Sequence, residues 1–156
     1  PQVRLEDELE LVRQYLNIQE IRFEDRFVCE IDVDERYQHC IVPKMVLQPL
    51  VENAIIHGVA DLEEGYIKLW AEEDGGDLLL RVSDNGRGIA PEVLDRLARH
   101  EDIPGGHLGL NNVDRIIRLY YGEGYGLTAE SGDTGSRVTL RLPMTKGDSH
   151  AKGTDR

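Results

Sequence analysis

Two short stretches of this chain constrain its fold and chemistry more than any other part of the sequence. Residues 47–58 set the polar side chains Asn53 and His57 into an otherwise apolar helical pattern. Residues 84–89 end an alternating apolar segment with a carboxylate, Asp84, and two glycines. A buried asparagine is costly without partners, and glycine lets backbone approach a ligand closely. In this order the two stretches predict opposite walls of a nucleotide pocket.

Composition sets outer limits on the class of protein. A length of 156 residues suits one domain with a sizeable core. The formal net charge of −12 argues against a nucleic-acid partner, because nucleic acids are bound by clustered lysine and arginine. Two cysteines, Cys29 and Cys40, are too few for a disulfide framework and favour a reduced, intracellular setting. No run of about 18 apolar residues is present, so we expect no membrane contact by this segment.

Apolar periodicity predicts helices and strands without a regular strand–helix–strand alternation. Period-2 patterns predict strands at residues 27–33, 65–72, 78–83, 126–130 and 137–142, with turns at 74–77 and 132–135. Helical spacing predicts helices at residues 5–21, 43–57, 92–99 and 110–120. Pro43 suits the first turn of the second helix, and Pro49 predicts a kink or a delayed start. The predicted fold class is therefore α+β, a two-layer α/β sandwich whose mixed sheet is covered by helices on one face.

The spacing of Asn53 and His57 places both side chains on one helical face, opposite Leu47, Val51 and Ile55. The asparagine amide oxygen is a suitable hard ligand for Mg²⁺, which keeps waters and substrate phosphates in its other positions. His57 would contact phosphate oxygens through a ring N–H. The alternative is that both side chains lie near a helix end and are satisfied by local backbone.

Asp84 directly follows its strand, where a carboxylate at a pocket floor can accept a hydrogen bond from the exocyclic amine of adenine. Gly86 and Gly88 allow close backbone approach, although an ordinary Asp-Asn-Gly turn is the alternative.

Further along, residues 101–107 predict a mobile loop, and the glycine-rich residues 105–113 run into a helix N-terminus whose free N–H groups suit phosphate. This segment matches neither a Walker A nor a dinucleotide-binding fingerprint, so a simple glycine hinge is its alternative.

These three stretches, in this order, resemble the N, G1 and G2 boxes of the GHKL (Bergerat) ATP-binding fold. That superfamily comprises gyrase, heat-shock chaperones, histidine kinases and MutL. The segments most similar to LytS/YesM-like sensor histidine kinases lie at residues 5–23, 41–43, 47–58, 120–122 and 135–138. The likeness extends over residues 3–143, nearly the whole chain.

The resemblance implies ATP and Mg²⁺ as ligands and gives each matching residue a role. Asn53 would hold Mg²⁺, His57 would lie near the phosphates, and Asp84 would bind the adenine amine. Glu52 would help to position the metal shell, in a catalytic set with Asn53 and His57. The other implied ATP-binding residues form the base pocket, the lid and the phosphate-side helix start: Gly86, Gly88, Ile89, Gly105, Gly109, Leu110 and Ser136.

Two positions depart from the family pattern. His107 stands where the glycine loop commonly has its middle glycine, which reduces backbone freedom at that residue. Pro49 stands where hydrolytic members carry a glutamate four residues before the Mg²⁺ asparagine, so a water-activating base of that kind is missing. This fits phosphotransfer to a protein better than ATP hydrolysis.

The resemblance implies the catalytic domain of a two-component sensor histidine kinase, which transfers the ATP γ-phosphoryl to a histidine on a dimerisation domain. No histidine of this chain lies on an N-terminal amphipathic helix, so we expect the acceptor upstream. Residues 1–22 would be a linking helix, packed on the domain or on a partner helix, followed by the catalytic domain at 23–145 and a disordered tail at 146–156.

The implied partners are the dimerisation domain, a response regulator and a second copy in a homodimeric parent protein. The parent is expected to be an integral membrane sensor with this domain in the cytoplasm. Two alternatives stay open: a GHKL serine kinase of the anti-sigma type, and a degenerate module that makes only protein contacts.

Overall fold

The computed structural model describes residues 1–147, in which two sheets and four α-helices form. The strands are β1 (Gln2–Arg4), β2 (Phe27–Asp32), β3 (Ile41–Pro43), β4 (Gly65–Asp74), β5 (Asp77–Asp84), β6 (Gly126–Gly132) and β7 (Gly135–Pro143). The helices are α1 (Leu5–Arg22), α2 (Gln48–Asn53), α3 (Pro91–Ala98) and α4 (Leu108–Tyr121), and a π-helical turn, Ala54–Val59, continues α2.

The larger sheet has the strand order β2-β4-β5-β7-β6, in which the β2–β4 pair is parallel and the other pairs are antiparallel. Side-chain alternation gives this sheet two different faces, because Leu78, Leu80 and Val82 of β5 are buried whereas Arg81 is only partly covered. Tight turns join β4 to β5 and β6 to β7 at the predicted positions. Helices cover the apolar face, which confirms the two-layer α/β sandwich with a mixed sheet.

Helix α1 packs its apolar stripe on the domain. Leu5, Leu9, Val12 and Leu16 recur every three or four residues and are buried in the same core as the sheet. Burial of such side chains stabilises a fold by about 1.5–3 kcal/mol each. Of the two packing partners predicted for this stripe, the domain itself is therefore the one found.

The helix predicted from Pro43 to His57 is wrong at its start. Pro43 ends β3, which pairs antiparallel with β1 in a two-stranded sheet absent from the sequence prediction. Strands of three residues are too short to show a period. Helix α2 begins at Gln48 with Pro49 in its first turn, where the fixed φ and missing N–H of proline are tolerated. The predicted delayed start is therefore confirmed.

Backbone contacts hold the last residues that the structure describes. Lys146 forms an isolated β-bridge with Cys40, and the amide of Gly147 donates to the carbonyl of His39. The first two residues of the tail predicted at 146–156 are therefore tied to the domain, and residues 148–156 lie outside the described part of the chain. None of the helices in residues 1–147 combines the length and the apolar character that a bilayer span requires.

Candidate functional site

Asp84 lies at the end of β5 with 9% of its surface exposed, and both of its carboxylate oxygens are held. Oδ1 accepts a hydrogen bond from the amide of Gly86 at 2.8 Å, and Oδ2 accepts one from the Oγ of Ser136 at 2.8 Å. Ser136 stands directly opposite Asp84 on β7. Each carboxylate oxygen has a further lone pair, so the carboxylate is oriented and still able to accept from a ligand amine.

Glycines crowd around Asp84 where no side chain would fit. A Cβ on Gly58 would lie 2.7 Å from the Cγ of Asp84, and one on Gly86 would lie 2.2 Å from the carbonyl oxygen of Gly58. Gly135 has a φ of +131°, and a Cβ there would lie 1.9 Å from the carbonyl oxygen of Asp84. Backbone therefore walls this end of the site, which glycine alone permits. Gly58 and Gly135 are not among the predicted site residues, although each directly adjoins one in the sequence.

Ser131 is a further contact that sequence reasoning misses. Its Oγ accepts a hydrogen bond from the amide of Ile89 at 2.7 Å and lies beside Gly88, whose φ is +84°. The bond ties the loop after β5 to the hairpin of β6 and β7. A cavity of about 420 Å³ opens here, and its lining includes Asp84, Ser131 and Ser136. No local pattern marks a serine whose partner lies 42 residues away.

Asn53 and His57 lie on α2 and its π-helical extension, and both contact one loop histidine. Asn53 is 8% exposed, and its Oδ1 lies 3.0 Å from the Nδ1 of His107, which donates to it in the tautomer that carries the proton on Nδ1. The ring of His57 stacks on that of His107 with centroids 4.0 Å apart, and its Nε2 lies 3.3 Å from the carbonyl oxygen of Gly106. The shared contact confirms that both side chains lie on one face.

The two stacked imidazoles line two cavities. The smaller cavity has a volume of about 130 Å³ and is also lined by Pro49, Glu52, Asn53, Ile56, Gly106, Gly109 and Leu110. The larger one has a volume of about 420 Å³ and is also lined by Arg87, Gly88, Ile89, Ala90, Pro91 and Val93. Burial and the neighbouring His57 lower the pKa of His107, which favours the neutral ring.

The glycine loop reaches the smaller cavity through Gly106 and Gly109. A Cβ on Gly109 would lie 3.3 Å from the Cβ of Pro49, so the first turns of α2 and α4 pack closely. Leu110 is buried and anchors the start of α4 in the core. Gly105 lines neither cavity, and the space around its Cα is open.

The donor set around Asn53 suits a metal ion that is shared with a ligand. Asn53 offers an amide oxygen, and Glu52 places a carboxylate in the same cavity wall. Within residues 1–147, no three His, Cys, Asp or Glu side chains converge to hold a metal ion by themselves. Mg²⁺ in nucleotide sites takes one or two protein ligands and fills its other positions with phosphates and waters. The residues present therefore fit Mg²⁺ bound together with a nucleotide.

The fold, together with the polar residues at the two ends of the site, is typical of a class of ATP-binding domains. Comparison with known proteins supports this assignment. A sequence profile of the family described as histidine kinase-, DNA gyrase B-, and HSP90-like ATPase matches residues 41–146, and the chain belongs to this family. Its relatives include the sensor histidine kinases YpdA of Escherichia coli, 34% identical over 143 residues, and YesM of Bacillus subtilis, 35% identical over 143 residues. The alignments cover 91% and 90% of this chain but only 25% and 24% of those proteins, so the chain spans about a quarter of their length.

Solved structures show the same fold. The catalytic domain of histidine kinase ThkA matches with a TM-score of 0.72 at 20% identity, over 94% of this chain and 98% of that one. ThkA in complex with the response regulator TrrA matches with a TM-score of 0.68 at 19% identity, over 93% of this chain and 42% of that one. These likenesses concern the fold, and they confirm the predicted α+β class.

Proposed function

We propose that this chain is the catalytic ATP-binding domain of a two-component sensor histidine kinase. The observation that carries the proposal is a site with two polar ends, in which Asp84 is fixed by Gly86 and Ser136 while Asn53 faces the glycine loop. Adenine needs an acceptor for its amine, and the phosphates need a metal ion and N–H donors. Relatives named as sensor histidine kinases align over 90% or 91% of the chain and support the proposal.

At the base end, Asp84 accepts from the adenine amine, while Gly88 and Ile89 border the ring. At the phosphate end, Asn53 holds Mg²⁺ and Glu52 helps to orient the waters of the metal. The remaining residues of the phosphate side are His57, Gly105, Gly109 and Leu110. Gly105 has a φ of +81° and gives the lid loop its backbone freedom, whereas Gly109 and Leu110 begin α4.

Phosphoryl transfer demands positioning and charge neutralisation more than covalent chemistry from the protein. Bound Mg²⁺ supplies the neutralisation of phosphate charge. In this proposal, Asp84 orients the base and Asn53 is the metal ligand. The ring N–H of His57 and the start of α4 face the phosphates. Pro49 offers no carboxylate to activate water, which favours in-line transfer to a histidine Nε2 over hydrolysis.

The acceptor histidine is proposed to lie on a dimerisation domain of a longer protein, to which residues 1–22 form the link. Among the described residues, the histidines are His39, His57, His100 and His107, and none of them lies on α1. The other proposed partners are a response regulator and a second copy of the parent. Relatives named as sensor histidine kinases support a sensor as the parent, and we propose that it is a membrane protein with this domain in the cytoplasm.

Titration with a non-hydrolysable ATP analogue, with and without Mg²⁺, tests the nucleotide role, and we expect saturable binding that Mg²⁺ strengthens. Incubation with ATP and the dimerisation domain of the longer protein then tests transfer, with an acid-labile, base-stable phosphate on histidine as the expected product. Absence of analogue binding would overturn the proposal in favour of a non-catalytic interaction module. An acid-stable phosphate on serine would favour the serine-kinase alternative.

Replacing His107 with glycine is expected to tighten the binding of Mg²⁺ and the ATP analogue. The substitution removes the ring that stacks on His57 and donates to the Oδ1 of Asn53, so the metal no longer competes for that oxygen. Loss of one such hydrogen bond predicts a Kd lower by about three- to tenfold. Isothermal titration calorimetry measures the change, with the exposed His39→Gly as control. Weaker binding would mean that His107 contributes contacts to the nucleotide.

A further inference from the structure

Glu8 is a buried acid on α1 that reaches across to the segment preceding α2. Only 2% of its surface is exposed. Its Oε2 accepts from the amide of Met45 at 3.0 Å, and its Oε1 accepts from the amides of Val46 at 3.0 Å and Leu47 at 3.2 Å. Three amide donors on one carboxylate satisfy a group that is otherwise costly to bury. The carboxylate therefore fixes three consecutive backbone positions.

The segment that Glu8 holds leads directly into α2. Leu47 occupies the capping position before Gln48, and its side chain has no acceptor to offer the helix. Glu8 instead accepts from the three amides that precede the helix, and it sets a negative group near the positive end of the α2 dipole. Met45 has a φ of +66°, a conformation that a residue other than glycine keeps only when its surroundings hold it. The hydrogen bond to Oε2 is such a restraint.

Helices α1 and α2 also interact further along α1. Tyr15 stands seven residues after Glu8, so both side chains fall on the same helical face. Burial, and then the nearby Glu52 carboxylate, raise the pKa of Tyr15 to about 12. Glu52 directly precedes Asn53 in α2. The charge of Glu52 is therefore close enough to disfavour ionisation of the Tyr15 phenol, and the two helices also contact each other in the shared core.

We infer that Glu8 is a positioning residue for the nucleotide site, because fixing residues 45–47 sets where α2 begins and thus where the Asn53 amide oxygen stands. The inference rests on the proposed function for the metal role of Asn53. A slip of the helix start by one residue moves the helix by about 1.5 Å along its axis. Mg²⁺ holds its ligands at about 2.0–2.1 Å in a demanding octahedral geometry, so it does not tolerate such a shift.

The base end of the site depends less on Glu8, because the hydrogen bonds that orient Asp84 lie outside α2, and Gly58, which packs against it, lies within the π-helical turn beyond Asn53. Asp84 is oriented by its position in β5, by the Ser136 hydroxyl and by the Gly86 amide. A variant of Glu8 should therefore weaken the part of nucleotide binding that depends on Mg²⁺ and spare the part that does not. A role confined to overall stability would not produce this selectivity.

The test compares Glu8→Gln with Glu10→Gln, which removes the same charge from an exposed position of the same helix. Glutamine keeps the size of the side chain but presents an NH₂ group to one of the amide donors. Hydrogen exchange of the ligand-free chain reports on residues 45–53, and titration with a non-hydrolysable ATP analogue is run with and without Mg²⁺. For Glu8→Gln we expect faster exchange over these residues and about tenfold weaker binding with Mg²⁺.

Binding of the analogue without Mg²⁺ is expected to stay unchanged in Glu8→Gln, and Glu10→Gln is expected to match the wild type in every measurement. Glu8→Asp keeps the charge with a shorter reach and is expected to show the same selective loss to a smaller extent. Equal losses with and without Mg²⁺, or wild-type exchange over residues 45–53 in Glu8→Gln, would overturn the inference. Failure of the proposed function is separable, because the wild-type chain would then bind no analogue while the exchange data still decide whether Glu8 holds the start of α2.

Discussion

Replacing Asp84 with asparagine lowers the affinity for ATP by an expected 100-fold or more, equivalent to about 3 kcal/mol. One carboxylate oxygen becomes an NH₂ group, while the Gly86 amide and the adenine amine both need acceptors. The Ser136 hydroxyl is the one partner able to accept from the new NH₂ group, which leaves a single oxygen for two donors. The mutation therefore replaces a charged acceptor by a neutral one and leaves a single oxygen to accept from both the Gly86 amide and the adenine amine.

Isothermal titration calorimetry with a non-hydrolysable ATP analogue measures this loss, and the midpoint of thermal unfolding checks that the fold persists. Asp32→Asn is the matched control, since Asp32 also ends a strand, β2, but is exposed. The control should bind as the wild type does. An Asp84→Asn chain with unchanged Kd would show that the carboxylate does not contact the base.

Replacing Asn53 with alanine is expected to remove the contribution of Mg²⁺ to nucleotide binding. The amide oxygen of Asn53 is the proposed metal ligand, and alanine offers no acceptor in its place. We expect the Kd with Mg²⁺ to rise by at least about tenfold, until it equals the Kd measured without Mg²⁺. The affinity without Mg²⁺ should hardly change, because Asp84 and its glycines stay in place.

The measurement for Asn53→Ala is a series of titrations of the ATP analogue over a range of Mg²⁺ concentrations. Asn112→Ala is the matched control, because Asn112 is an exposed asparagine on α4. Full retention of the Mg²⁺ dependence in Asn53→Ala would contradict the metal role. A further decrease in Kd from His107→Gly in the Asn53→Ala background would contradict the competition between His107 and the metal.

Local patterns in the sequence predict the sheet, most helices and the two polar ends of the site. The alternation of apolar residues along β5 stops at Asp84. The glycines after it can be recognised from the sequence alone, because glycine itself has the conformational freedom that this loop needs. Pro49 marks the start of α2 through its fixed φ. On α1, Leu9 and Leu16 follow the period of a helix that buries one face.

Features that depend on contacts between distant residues escape such patterns. Glu8 is one of several acids on α1, and its burial follows only from the approach of residues 45–47. The bond from His107 to Asn53 joins residues 54 positions apart. Pro43 suits the start of a helix as well as the end of a strand, and its pairing partner, Gln2 of β1, decides between them. Each of these results from packing that no short window of sequence contains.

The π-helical turn at Ala54–Val59 makes the two ends of the site parts of one continuous piece of backbone. Asn53 directly precedes the turn, and Gly58 within it lies against the carboxylate of Asp84. A π-helical turn is wider than an α-helical one, so its geometry sets the separation between Asn53 and the backbone that packs on Asp84. Substitutions that rewind this turn would alter both contacts together, and their effects would not add to those of mutations at Asp84. The winding of a single turn of helix therefore connects the position of Asn53 with the backbone that packs on Asp84.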